Sequence, residues 1–229
     1  MAGKSFFIDT TKCTACRGCQ AACKQWNQNP VAPTRQRGTY QNPPDLAAGT
    51  FKLVRFSEAG MAPGGAPCWY FFPDQCRHCL YPPCKMTADK KAKGAARIDS
   101  RTRAVIFNPA VTLTPAAFEA IRRSCPYDIP RYDEKRGGMT KCTMCIDRIK
   151  EGLLPACVKT CPTGAMNFGE RDDLLKLAES RLQAVQKTHK GAALVNPDEV
   201  RVIFLVTDEP AKYHRFAAGG NNKENAAGQ

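Results

Sequence analysis

The sequence predicts an α+β protein built of two similar cysteine-rich units with long loops, followed by a helix and strand extension. Three observations carry this expectation. The chain holds 13 cysteines in 229 residues, gathered in short runs. The segments between the runs read as short strands and one short helix, set among Pro- and Gly-rich loops. Sustained helical periodicity occurs only beyond residue 170, where a five-residue apolar run, Val202–Val206, follows it.

Taken in chain order, Met1–Asp9 holds one Lys and a short apolar patch at Phe6–Ile8, which is not the usual form of a secretory signal. The first run is Cys13-Thr-Ala-Cys16-Arg-Gly-Cys19-Gln-Ala-Ala-Cys23. Gln28–Gly49 is rich in Pro, Asn, Gln and Gly and reads as an exposed loop. Phe51–Phe56 alternates as a strand does, and Pro63–Pro67 is a Pro/Gly loop. Cys68 stands alone and reads as a small buried hydrophobe. The second run is Cys76, Cys79 and Cys84, with His78 inside it. Arg103–Phe107 reads as a strand. Thr114–Arg123 reads as a helix with Thr114 as N-cap and Pro115 in its first turn, delivering Cys125-Pro126. The last run is Cys142, Cys145, Cys157 and Cys161-Pro162. Asp172–Lys187 reads as an amphipathic helix with Leu174, Leu175, Ala178, Leu182 and Val185 on one face and Gly191 beyond it. Val200–Thr207 reads as a buried strand, and Ala217–Gln229 as a disordered or partner-draped tail.

An odd cysteine count in a chain long enough to build an ordinary core argues against a disulfide framework. Three thiolates at i, i+3 and i+6 can wrap three irons of one cubane, and the fourth cysteine of such a run serves the other cluster in two-cluster ferredoxins. Zinc also favours CxxC pairs, but four cysteines within eleven residues are too dense for one ordinary zinc ribbon, and histidines are few. Pairing the runs by ferredoxin logic gives Cys13, Cys16, Cys19 and Cys161 to one [4Fe–4S] cluster, and Cys23, Cys142, Cys145 and Cys157 to a second. Cys76, Cys79, Cys84 and Cys125 make a third, and Cys68 is left over. The same logic divides the chain into a ferredoxin-like unit of the bacterial 2[4Fe–4S] type (residues 1–30 and 135–170) and an inserted one (66–134). Residues 31–65 connect them, and 171–229 form the C-terminal extension.

The formal charge is +13, from 34 Lys+Arg against 21 Asp+Glu. Alone, that surplus suits a nucleic-acid surface. Thiolate-bound clusters are anionic, so part of it balances cofactors. Lys12, Arg17, Arg77, Lys85 and Lys141 flank the runs, either as cations that favour the reduced cluster or as ordinary solvated surface charges. His78 is placed either to hydrogen-bond a cluster sulfur or to pack beside it; His189 and His214 receive no role. No run approaches the ~18 apolar residues of a membrane helix. No Ser–His–Asp order or phosphate loop is present.

The four runs resemble those of the iron–sulfur subunits of the molybdopterin oxidoreductase family, which includes dimethyl sulfoxide reductase, nitrate reductase and formate dehydrogenase. The resemblance covers about Phe6 to Gly169. That family carries a further cluster, whose cysteines would fall at Ala88, Pro115, Phe118 and Ile121. All four ligands of that one site are replaced, and Phe118, Ile121 and Ala88 suit packing of the vacated volume. Three clusters without a membrane anchor is similar to the small subunits of the soluble tungsten or molybdenum formate dehydrogenases of sulfate-reducing bacteria. The resemblance implies a non-catalytic electron relay. It would form a heterodimer with a W/Mo-bis-pterin catalytic subunit and pass electrons to a multihaem cytochrome c, with no nucleic acid and no direct membrane span. It also implies the periplasm, by co-export with the catalytic subunit; the cytoplasm is the alternative. A relay for thiosulfate, polysulfide, nitrite or an aldehyde, a free polyferredoxin, and a zinc-binding nucleic-acid module are the other readings.

Overall fold

The computed structural model describes residues 3–61, 65 and 67–220. In chain order the elements are β1 (Lys4–Asp9), a 3-10 turn (Thr10–Lys12), α1 (Gly18–Trp26), β2 (Leu53–Met61), β3 (Pro67–Asp74), α2 (Pro83–Lys91), β4 (Ala96–Ile98), β5 (Val105–Phe107) and α3 (Pro115–Arg123). There follow β6 (Arg131–Asp133), β7 (Gly138–Thr140), α4 (Ile146–Lys150), α5 (Ala156–Lys159), β8 (Met166–Glu170), α6 (Arg171–Gln186), β9 (Ala193–Val195), β10 (Val202–Val206) and α7 (Pro210–Tyr213).

The main sheet has the order β8-β1-β10-β9. β1 pairs antiparallel with β8 and parallel with β10, and Phe6 faces Val202 across that parallel pair. The central position of β10 explains its unbroken apolar sequence, since a strand covered on both faces has no polar side to offer. Ile203 and Leu205 join Phe7 under Leu174, Ala178 and Val185 of α6. Val202, Phe204 and Val206 join Phe6 and Ile8 on the opposite face, which also holds Cys19 and Cys157. All five residues of β10 have no exposed surface; each such aliphatic side chain contributes roughly 1.5–3 kcal/mol of transfer free energy. Asp172 and Asp173 in the first turn of α6 meet the positive end of its dipole.

The other sheets are two-stranded pairs: β2 with β3, β4 with β5 and β6 with β7. α3 begins as the sequence predicts, with the Thr114 hydroxyl accepting from Ala117 N at 3.2 Å and Pro115 following. Its inner face, Phe118 and Ile121, packs in one core cluster with Ala88 of α2. Ala88 and Ile121 are fully buried, so the positions where relatives would carry a further set of cysteines are filled by packing. Pro115 is exposed at the helix start.

Several sequence expectations need correction. The first strand expected at Phe51 starts at Leu53 and runs on to Met61, and Pro67 belongs to β3. The rest of the Pro/Gly loop lies outside the described residues, apart from Gly65. A further helix, α1, carries both Cys19 and, one turn on, Cys23. Leu46 in the connecting loop is buried and Ala47 bridges to Thr50. The tail expected from Ala217 is packed as far as Gly220. Ala217 is fully buried, and Gly220 N donates to Pro126 O at 2.9 Å. Residues 221–229 of that tail lie outside the described residues. Cys68 is half-buried in β3 rather than buried.

Candidate metal centres

The first run is held at its entry by β1. Asp9 is buried and caps the 3-10 turn, accepting from Thr11 N at 3.1 Å and Arg181 Nε at 2.9 Å. Thr10 Oγ1 donates to Leu205 O at 2.7 Å, which ties the turn to β10. Beyond it Ala15 and Arg17 take left-handed conformations, φ 53° and 62°. The same device recurs at His78 (φ 46°), Met144 (φ 63°) and Cys145 (φ 50°) inside the later runs, and at Asp128 (φ 49°) three residues after Cys125. Non-glycine residues there cost roughly 1–2 kcal/mol each. Such turns aim successive N–H groups into an anion-binding nest. His78 N donates to Cys76 Sγ at 3.3 Å and Met144 N to Cys142 Sγ at 3.4 Å.

Thiols distant in sequence come together in three groups. One small cavity is lined by Cys13, Cys16, Cys19 and Cys161. Another is lined by Cys76, Cys79, Cys84 and Cys125, with Val105 and Lys141 in its wall. Cys23 groups with Cys142, Cys157 and Cys145, whose ionisation would raise its own thiol further. The groups also abut in sequence. Cys157 lies within the field of Cys19, and Cys142 within that of Cys76. Exposure differs among them. Cys16 is exposed, Cys13, Cys161 and Cys79 are half-buried, and Cys23, Cys142, Cys145 and Cys157 are all buried.

Burial pushes the Cys13 and Cys125 thiols up to about 11 and Cys142 to about 12. It raises Cys23, Cys79, Cys84 and Cys157 as well. Cys161 goes the other way. Burial acts to raise it, but the N–H groups of Met166, Ala165 and Thr163 and the Thr163 hydroxyl outweigh that and lower it. Thiols packed this densely in an apolar interior become thiolates only with a compensating cation, which a bound metal supplies.

The donor set fits an anionic thiolate cluster better than a single ion. Among the described residues no three His, Cys, Asp or Glu side chains converge to hold one metal ion. Zinc, with bonds of about 2.3 Å, draws its four sulfurs to roughly 3.8 Å apart. A cubane takes one cysteine per iron, so its sulfurs stand further apart. Buried N–H donors beside the second run also lack acceptors: Gln75 Nε2, Arg77 Nε and Nη2, and His78 Nε2. An unmet buried donor costs about 1–3 kcal/mol, which an adjoining anion relieves.

The cations singled out in the sequence divide into two kinds. Lys12 is exposed and Lys85 pairs with Asp89. Arg77 is 2% exposed, pairs with buried Asp74 at 2.7 Å, and stacks on Phe72, Tyr127 and Phe204. Lys141 is buried, lies 4.8 Å from the centre of the Phe107 ring, and donates to the Val105 and Cys142 carbonyls. Sequence reasoning missed Lys52. It is 2% exposed and donates to Pro73 O at 3.0 Å and Gln75 Oε1 at 2.6 Å. In the sequence it is one lysine entering a strand, with no local signal of burial.

Residues 67–171 match the family model described as a 4Fe-4S dicluster domain. The chain is 50% identical over 214 residues to the formate dehydrogenase subunit beta of Megalodesulfovibrio gigas, covering 93% of this chain and 98% of that one. It is 50% identical over 215 residues to formate dehydrogenase 2 subunit beta (cytochrome c-553) of Nitratidesulfovibrio vulgaris Hildenborough, with the same coverage. It is 33% identical over 213 residues to the iron-sulfur subunit of the nitrate-inducible formate dehydrogenase of Escherichia coli K12, covering 90% of this chain and 70% of that one.

Proposed function

We propose a function from the premise that this chain belongs to the formate dehydrogenase iron–sulfur (beta) subunits, within the molybdopterin oxidoreductase relatives. In this reading it is a relay subunit that carries electrons from formate oxidation at a W/Mo-bis-pterin catalytic partner to an external cytochrome c. Three [4Fe–4S] clusters, when bound, supply one-electron transfer. Cys13, Cys16, Cys19 and Cys161 would hold the first. Cys23, Cys142, Cys145 and Cys157 would hold the second, and Cys76, Cys79, Cys84 and Cys125 the third. Residues 1–30 with 135–170 form the outer ferredoxin-like unit and 66–134 the inserted one. Residues 31–65 connect them, and 171–229 form the extension.

The observation that carries the reading is the order of the thiol groups. The group with all four thiols buried adjoins the other two: Cys157 shares a core cluster with Cys19, and Cys142 shares one with Cys76. Each outer group has a half-buried or exposed thiol: Cys16, Cys13 and Cys161 on one side, Cys79 on the other. A buried middle and two accessible ends suit entry at the Cys16 side, facing the catalytic subunit, and exit at the Cys79 side. Among the described residues no helix is long and apolar enough to cross a membrane. We place the complex in the periplasm, exported with its catalytic partner.

Anaerobic addition of formate to the native complex tests this. Rapid bleaching of the visible iron–sulfur absorption supports a formate-oxidising partner and an intact relay. Bleaching by dithionite but not by formate would keep the relay and move the substrate to another member of the family.

A further inference from the structure

Two buried lysines have no carboxylate partner. Lys52 and Lys141 are 2% and 5% exposed, and among the described residues neither forms an ion pair with Asp or Glu. Among the described residues Lys52 donates only to Pro73 O and Gln75 Oε1, and Lys141 only to the carbonyls of Val105 and Cys142. The contrast is Arg77, equally buried but neutralised by Asp74 at 2.7 Å. Burying an ammonium among neutral oxygens costs several kcal/mol unless a negative charge stands nearby.

Both lysines stand beside the thiol groups. Pro73, which accepts from Lys52, lines the cavity of Cys13, Cys16, Cys19 and Cys161. The field of Lys52 reaches Cys13 and Cys19 in that group, and Cys23, Cys145 and Cys157 in the middle group. Lys141 lines the cavity of Cys76, Cys79, Cys84 and Cys125. Its field reaches Cys84 there and Cys142 in the middle group. Lys52 thus stands at the junction of the first and second thiol groups, and Lys141 at the junction of the second and third.

We propose that Lys52 and Lys141 are internal counter-ions of the relay, each shared by two consecutive centres, and that the middle centre is held up in potential by both. The inference rests on the three-cluster reading above. A fixed cation stabilises the more negative, reduced state and raises the potential of whatever it adjoins. The middle group lies in full burial, where low dielectric would make its reduction the hardest. Two cations on it and one on each neighbour oppose that penalty where it is greatest and level the path.

The test is a redox titration of the native complex followed by EPR, with iron content measured on each preparation. Lys52→Met should lower the potentials of the first and second clusters and leave the third in place. Lys141→Met should lower the second and third and leave the first. The expected displacement is about tenfold in each one-electron equilibrium, ~59 mV. Lys52→Arg and Lys141→Arg, which keep the charge, should restore the native values. Where a Met variant loses iron, the Gln variant at the same position is titrated instead. Unchanged potentials, or equal displacement of all three clusters, would overturn the proposal. Iron short of three clusters in the unaltered protein would sink the three-cluster reading instead, whatever the lysine variants do.

Discussion

Val105 gives its backbone N–H to His78 Nδ1 at 3.1 Å, so the proton of this buried imidazole sits on Nε2. Burial first, then the charges of Lys141 and Arg201, hold the ring far below the usual histidine range, and it stays neutral. The backbone of His78 meets a sulfur, through N to Cys76 Sγ, while its ring Nε2–H has no protein acceptor among the described residues. His78→Leu should therefore leave the Val105 N–H unmet and cost about 1–3 kcal/mol in chemical denaturation. The potential of the neighbouring centre should show no pH-linked step from this ring between about pH 5 and 8.

Ile121→Ala tests the packing at the positions where the family resemblance would put a further set of cysteines. Ile121 and Ala88 have no exposed surface and share a core cluster with Phe118. The truncation should destabilise the protein by about 2–5 kcal/mol, as a buried cavity does. Iron content should be unchanged. A loss of iron would mean that this region holds metal after all.

Cys125 is buried in the wall of the cavity shared with Cys76, Cys79 and Cys84. Cys125→Ala is expected to remove one third of the bound iron, measured by colorimetric assay, and to block transfer to the acceptor while formate still reduces the remainder. Cys68, half-buried in β3, is expected to be irrelevant to iron. Cys68→Ser should leave the stoichiometry untouched.

Acid should weaken the protein through His214. Burial lowers this imidazole to about 4, with Arg55 and Arg77 adding to the effect and Asp74 opposing it. The unfolded chain, with an ordinary value near 6.5, takes up the proton first. The contribution is therefore complete above about pH 6.5 and is lost as pH falls toward 4, on the order of 3 kcal/mol in all. His214→Asn should flatten the slope of unfolding free energy against pH in that window. An equal slope in the variant would assign it elsewhere.

The sequence showed the site in outline and hid its electrostatics. Cysteine runs are local patterns, and Thr114-Pro115 is a local start signal, so both could be read from neighbours in the chain. Ala88, Phe118 and Ile121 were legible because a missing pattern has the same spacing as a present one. The burial of Lys52 depends on Pro73 and Gln75, more than twenty residues away, and nothing near it in the sequence signals that. The Asp74–Arg77 pair resembles any surface pair at i, i+3 until Phe72 and Phe204 close over it. Phe6–Ile8 reads only as a short apolar patch, because β1 becomes a strand by pairing with residues at the other end of the chain.

That pairing has a consequence for biogenesis. A ribosome delivers β1 and the turn that positions Cys13 well before the central partner of β1, Val202–Val206. Until β8 and then β10 follow, the turn hangs from an unpaired strand edge, and it lacks the Leu205 carbonyl that ties it down until β10 is made. The turn that positions Cys13 is therefore completed only after β10 is made, and the edge of β1 that β10 covers stays open to other strands until then.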